Sequence, residues 1–174
     1  MIGPSASRAL FEAGERLPES LVVFLASYLI WVMAVLLLIA LWRARTTRRA
    51  AILLAGSALL AYGANALIGF LIVRPRPFVS GEVAHALIST AHLGGSYPSD
   101  HAAIAWALGC AYALMKQKNA WLFLGMAFLV SVGRVLAGVH FVEDAAVGAL
   151  VGLGAALAVR LSLRIARVRA IVSR

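Results

Sequence analysis

Arg134, His140 and Asp144 stand six and four residues apart in the stretch GRVLAGVHFVED, residues 133–144, inside a sequence that is otherwise oily. Residues four apart on a helix share a face, so Asp144 can sit over His140. A carboxylate bonded to one imidazole nitrogen orients the ring, leaves the other nitrogen free to attack, and stabilises the cation that forms. Glu143, three residues from His140, is a rival partner on spacing alone. Arg134 closes the preceding apolar run and is placed to hold the group under attack.

Two further clusters carry related chemistry. VRPRPF, residues 73–78, holds Arg74 and Arg76 on a backbone stiffened by proline. Their planar guanidinium forks match phosphate or carboxylate oxygens. In SYPSDHA, residues 96–102, Pro98 breaks the chain and Ser99 is a natural helix N-cap. The free N–H groups and the dipole of the following helix make an anion site, to which Ser99 can add its hydroxyl. His101, in the first turn, can donate a proton to whatever is held there. Arginines, a helix amino terminus, two histidines and a carboxylate together suit phosphoryl transfer. Donors stabilise the equatorial oxygens, one histidine attacks phosphorus, and the other protonates the leaving oxygen. Glu82, His85, His92 and Asp100 show no known metal-ligand spacing, so no metal or cofactor is expected.

The elements that must position these residues are membrane spans. Of 174 residues, 63% are hydrophobic and 13% charged, against about 45–50% and about 25% in soluble domains. Mean hydropathy is +0.92. Apolar runs long enough to cross a bilayer, roughly 20 residues each, cover about Leu21–Trp42, Ala50–Val73, Ser99–Met115, Ala120–Val139 and Phe141–Ala166. The expected architecture is all-α: one domain over 1–174, a polytopic bundle of about five transmembrane helices within 21–166. Residues 1–20 carry Leu10, Ala13 and Leu17 at helical spacing and read as an amphipathic interfacial segment. Residues 167–174 read as a basic cytoplasmic tail, and 78–97 as a loop with one short interfacial helix. A net charge of +9 would suggest nucleic acid in a soluble protein. Here the basic residues flank apolar runs, and nucleic acid is not an expected partner. The single Cys110 excludes an intramolecular disulfide. Gly148, Gly152 and Gly154 form a small-residue face suited to packing within the bundle.

With the amino terminus outside, the inner segments hold Arg43, Arg45, Arg48, Arg49, Lys116, Lys118, Arg160, Arg164, Arg167, Arg169 and Arg174, which are 11 of the 16 basic residues. All seven acids fall outside. The positive-inside rule favours this orientation, and it delivers all three clusters to the outer face. Ionisable groups at membrane depth are costly and mark function.

These residues resemble the type-2 phosphatidic acid phosphatase superfamily. Its signature is Lys, six residues, Arg-Pro; then Pro-Ser-Gly-His; then Ser-Arg, five residues, His, three residues, Asp. Arg76-Pro77, Pro98-Ser99-Asp100-His101, and Arg134, His140 and Asp144 match it within about Asn65–Gly148. Gly69 stands where the family has its lysine, Asp100 replaces the glycine and Gly133 the serine. Loss of the lysine removes one phosphate contact, for which Arg74 is the available substitute. The RPRPF segment and the Asp in PSDH are most similar to the bacitracin-resistance type of undecaprenyl diphosphatase. The resemblance implies His140 as nucleophile forming a phosphohistidine, Asp144 orienting it, and His101 as acid. It implies Arg76, Arg134 and Ser99, with Arg74, as phosphate binders, no metal, and a polyprenyl or other lipid phosphate as substrate. The implied site lies on the periplasmic or extracellular side of a bacterial cell membrane. Phosphatidylglycerophosphate or phosphatidic acid, transfer to an acceptor lipid, and a weakly catalytic lipid-phosphate binder remain alternatives. The sequence leaves the oligomeric state open.

Overall fold

The computed structural model describes residues 4–43, 48–89 and 95–172. Arg45, His92, Gly94 and Arg174 lie outside the described residues. The order is α1 (Pro4–Glu15), α2 (Glu19–Val23), a π-helical turn (Phe24–Tyr28), α3 (Leu29–Arg43), α4 (Arg48–Leu71), α5 (Asp100–Leu114), α6 (Ala120–Leu136) and α7 (Val142–Val172). The described residues contain no strand.

The spans follow the sequence boundaries, with informative differences. Glu19–Arg43, Arg48–Leu71 and α7 are long and apolar enough to cross a membrane. The other two are shorter: α5 has 15 residues and α6 has 17. Their sequences are cut at the site end by Pro98 and Gly138. α5 can be short because it is central, packed against α4, α6 and α7. Its buried Ala102, Ala103, Ala105, Ala107, Gly109 and Ala111 let neighbouring backbones come close. Gly148 and Gly152 of α7 meet this surface: a β-carbon at Gly152 would strike the Ala103 carbonyl, and one at Gly148 would lie 2.6 Å from the Ser99 carbonyl. Gly154 meets nothing within 4 Å and is not part of that contact. Large apolar side chains, among them Trp31, Leu59, Phe70 and Leu161, face outward around the bundle, as lipid-facing groups do.

Two expectations need correcting. The basic end is not a separate tail, since α7 runs unbroken to Val172. Its 31 residues at about 1.5 Å rise outrun the roughly 30 Å hydrocarbon layer, so helix persists where the arginines meet water. The amino-terminal segment is helical, but its buried face is Ser7, Phe11 and Gly14 rather than Leu10, Ala13 and Leu17. Leu10 is half-buried and Leu17 exposed. The face is set by docking on protein: a β-carbon at Gly14 would strike the Leu136 carbonyl, so glycine allows α1 to seat against the end of α6. Phe11 packs edge-on to His85 at 5.7 Å, and Arg8–Glu82 and Glu15–His85 pairs at 3.7 and 3.8 Å flank it. These pairs are exposed and contribute little, about 0–1 kcal/mol each.

The loop beyond Pro77 forms turns and bends, with no helix among its described residues. It is anchored by Val83 and Ile88, both buried, and by the Leu87 N–H donating to the Ala137 carbonyl at 3.0 Å. Loop and α1 together cover the turn between α6 and α7.

Candidate active site

α6 ends at Leu136, and Gly138 reverses the chain with φ +72°, a backbone that glycine adopts without strain. His140 therefore lies in the turn before α7, not on a helix with Asp144 above it. The four-residue spacing still brings the two together, through a capping arrangement. Asp144 is the third residue of α7, and its Oδ2 accepts the Phe141 N–H at 2.8 Å. The same oxygen lies 3.8 Å from His140 Nδ1. That is contact distance for a charge but too long for a hydrogen bond.

The hydrogen bond to Nδ1 comes instead from a residue with no chemical signal in the sequence. His140 Nδ1 is 2.7 Å from the Ser96 carbonyl. A carbonyl only accepts, so Nδ1 carries the proton and Nε2 is left with its lone pair. Nε2 faces Arg134 Nη2 at 3.5 Å. Glu143 is not the rival that spacing allowed: its Oε2 pairs with Arg74 at 2.9 Å.

Arg134 is buried and donates from Nη1 to the Ala26 carbonyl at 3.2 Å. Ala26 belongs to the π-helical turn, a local irregularity often found at functional sites. The departure at Gly133 has its reason here. A β-carbon would sit 2.7 Å from the Leu25 carbonyl carbon, so a serine would push α6 off this turn. Gly69 is also confined: a β-carbon there would stand 3.2 Å from the Tyr97 carbonyl oxygen.

Arg76 donates from Nη1 to the Val139 carbonyl at 3.1 Å, which brings it beside His140. Ser99 occupies the N-cap of α5, and its backbone N–H donates to the Asp144 carbonyl at 3.0 Å, tying α5 to α7. Its hydroxyl does not cap the helix. Ser99 Oγ, Arg76 Nε and Arg134 Nε are buried and have no hydrogen-bond partner among the described residues. Such groups are expensive to leave unpaired, about 1–3 kcal/mol each. His101 is half-buried in the first turn of α5, two residues after Ser99.

Arg74 takes a place the sequence did not suggest. Its Nη1 bonds Glu143 Oε2 at 2.9 Å and Asp144 Oδ1 at 3.0 Å, and its guanidinium stacks 4.0 Å over the Phe141 ring. Asn65, also unmarked by sequence reasoning, donates from Nδ2 to Asp100 Oδ1 and to the Pro98 carbonyl, fixing the segment that enters α5. An amide in the middle of an apolar helix was the signal for it.

Burial holds the His140 imidazolium below its ordinary range; Asp144 opposes the shift, and Arg134 and Arg76 reinforce it. Burial likewise lowers Arg76, with Asp100 and Asp144 opposing. Arginine remains charged even so. Among the described residues, no three His, Cys, Asp or Glu side chains converge as a metal site would require. The arrangement presents an unprotonated imidazole nitrogen beside two guanidinium groups, a free hydroxyl and a second histidine.

Residues 50–167 match the PAP2 superfamily. The chain is 35% identical over 138 residues to the "Bacitracin transport permease protein BcrC" of Bacillus licheniformis, across 78% of this chain and 67% of that protein. It is 34% identical over 128 residues to the "Undecaprenyl-diphosphatase BcrC" of Bacillus subtilis, across 72% of this chain and 65% of that protein. The match thus spans about two thirds of the length of these relatives. In fold, the chain is similar to Aquifex aeolicus LpxE, with TM-score 0.74 and 21% identity over 91% of this chain and 94% of that one. It is also similar to a PAP2-type phosphatidylglycerolphosphate phosphatase of Bacillus subtilis, with TM-score 0.58 and 23% identity over 90% and 83%.

Proposed function

Because the chain belongs to the PAP2 superfamily, we propose that it is a membrane lipid phosphatase that removes the terminal phosphate of undecaprenyl diphosphate through a phosphohistidine. The observation that carries the chemistry is the set of unpartnered Ser99 Oγ, Arg76 Nε and Arg134 Nε beside an imidazole whose Nε2 is unprotonated. The activity for which the Bacillus subtilis relative is named supports the choice of substrate.

In this reading Arg76, Arg134 and Ser99 bind the equatorial oxygens of the terminal phosphate. His140 Nε2 attacks phosphorus in line, and the bond to the bridging oxygen breaks. His101 gives its proton to that oxygen, and the lipid monophosphate leaves. The positive charge on His140 is stabilised by Asp144 and by the Ser96 carbonyl. Water then attacks phosphorus, His101 takes its proton, the P–N bond breaks, and inorganic phosphate departs. The site faces the periplasmic or extracellular side, supported by the basic ends of α3, α4 and α7 lying at the opposite end from the seven acids. A carrier lipid exposed on that surface would be returned to its monophosphate there.

Purified protein in detergent tests this with undecaprenyl diphosphate and phosphatidic acid side by side, in excess EDTA. Release should favour the diphosphate and vanish in His140→Ala with the protein still folded. Preference for phosphatidic acid would move the substrate assignment to glycerophospholipids. Equal release by His140→Ala would end the phosphohistidine route.

A further inference from the structure

The two contacts on the Nδ1 side of His140 both lead back to one residue. The Ser96 carbonyl, which accepts the Nδ1 proton, is held because the Ser96 N–H donates to the Arg74 carbonyl at 2.7 Å. The backbones are in close apposition there: a β-carbon on Gly95 would lie 3.0 Å from the Arg74 carbonyl oxygen. The second contact is Asp144 Oδ2, at 3.8 Å. Its other oxygen is held by Arg74 Nη1 at 3.0 Å, and the Arg74 guanidinium carbon sits 4.0 Å from the ring centroid of Phe141, the residue whose N–H Asp144 accepts. Arg74 thus fixes one contact through its backbone and the other through its side chain.

We infer that Arg74 is a positioning residue that holds Asp144 and Ser96 around the nucleophile, and that it is not a phosphate contact. This rests on the phosphatase reading and deepens it. The neighbouring arginines differ from Arg74 in the relevant way. Arg76 and Arg134 each keep a buried Nε without a partner, whereas Arg74 Nη1 is shared between two carboxylates. Swinging Arg74 towards phosphate would strip the counter-charge from Asp144, which is fully buried, just as a second anion arrived. The family lysine missing at Gly69 is therefore not replaced by Arg74. Arg76, Arg134, Ser99 and the start of α5 hold the phosphate without it.

The experiment compares wild type, Arg74→Gln, Arg76→Gln, Asp144→Asn and the double variant Arg74→Gln/Asp144→Asn. Two quantities are read: turnover of the lipid substrate, and binding of inorganic phosphate as a rise in melting temperature with concentration. Misplacing a reacting group by about 1 Å costs on the order of 10²-fold, so Arg74→Gln should lower kcat by about that factor. Its KM and its phosphate affinity should stay within about threefold of wild type, while Arg76→Gln, losing a charge-assisted contact, weakens phosphate about tenfold or more. Acting through Asp144, Arg74→Gln should add little to Asp144→Asn, so the double variant should be no more than about threefold slower than the slower single. Arg74→Lys should recover part of the lost kcat by restoring a cation to Asp144. Phosphate binding weakened as much in Arg74→Gln as in Arg76→Gln would overturn the inference. So would losses in kcat that multiply in the double variant. If wild type released phosphate from no lipid, the function reading would fall, and phosphate binding by the two arginine variants would still decide the role of Arg74.

Discussion

Gly148→Ala isolates the spacing between α5 and α7 from the chemistry of the site. The added carbon would lie 2.6 Å from the Ser99 carbonyl oxygen, 3.1 Å from the Ala102 β-carbon and 3.2 Å from the Ala103 nitrogen. Ordinary contact begins near 3.4 Å, so the start of α5 must retreat by about 0.8 Å. The obstacle is backbone, which cannot rotate aside as a long side chain would. Retreat stretches the 3.0 Å bond from the Ser99 N–H to the Asp144 carbonyl and carries Ser99 and His101 away from His140. A displacement near 1 Å is worth on the order of 10²-fold in rate, and overpacking costs about 1–3 kcal/mol of stability. The matched control is Gly154→Ala, six residues along the same helix, where a β-carbon meets nothing within 4 Å. It should keep full turnover and gain up to about 1 kcal/mol from helix propensity. Both variants would be purified in detergent, sized by gel filtration, melted, and assayed for phosphate release. If folded Gly148→Ala kept more than half of wild-type kcat, the α5–α7 contact would not be what sets the distance between the two histidines.

Two further outcomes follow from the same geometry. Burial lowers His140 from the ordinary value near 6.5, so neutral Nε2 persists at neutral pH and is lost as pH falls through the lowered value. The kcat/KM profile should have its histidine limb below about pH 6.5, and Asp144→Asn, by removing the anion that opposes the lowering of His140, should move the limb of its residual activity further down; an unmoved limb would belong to some other group. Gly133→Ser, which restores the residue usual in the family, should raise KM and cost about 1–3 kcal/mol in melting experiments, because it drives α6 off Leu25 and loosens the Arg134 contact to Ala26.

What is legible in the sequence follows from strong local signals. Apolar runs, Pro98 and the basic flanks mark the spans, and charge asymmetry places the three clusters at one end. His140 and Asp144 do come together, but by a capping bond at the start of α7 rather than along a helix face. Spacing alone does not distinguish these two geometries. Ser96 acts through its backbone carbonyl, which every residue possesses, so no side-chain pattern could reveal it. The face of α1 is hidden because Gly14 counts for nothing in an apolar periodicity, yet its lack of a side chain decides where the helix seats. Arg74 reads in the sequence as a fork for phosphate; the partners it has in the fold, Glu143 and Asp144, lie 69 and 70 residues away, where spacing gives no hint of them.

The energetics of the site turn on which polar groups are satisfied before substrate arrives. Each oxygen of Asp144 has a donor: Arg74 and Phe141 donate to its carboxylate, and its carbonyl accepts Ser99. The two guanidinium groups at the phosphate end are each tethered by a single backbone carbonyl, Val139 for Arg76 and Ala26 for Arg134, which fixes their position without consuming all their donors. Leaving Arg76 Nε, Arg134 Nε and Ser99 Oγ unpaired costs about 1–3 kcal/mol each, and in the proposed reaction the entering phosphate oxygens would supply the missing partners. Because the donors are already held in place, little reorganisation is needed as charge develops on the phosphoryl oxygens. The Asp144 carboxylate lies on the Nδ1 side of His140 and the Arg134 guanidinium on the Nε2 side, an order of charges that, in the proposed reaction, would draw a phosphate towards Nε2 and keep it away from Asp144.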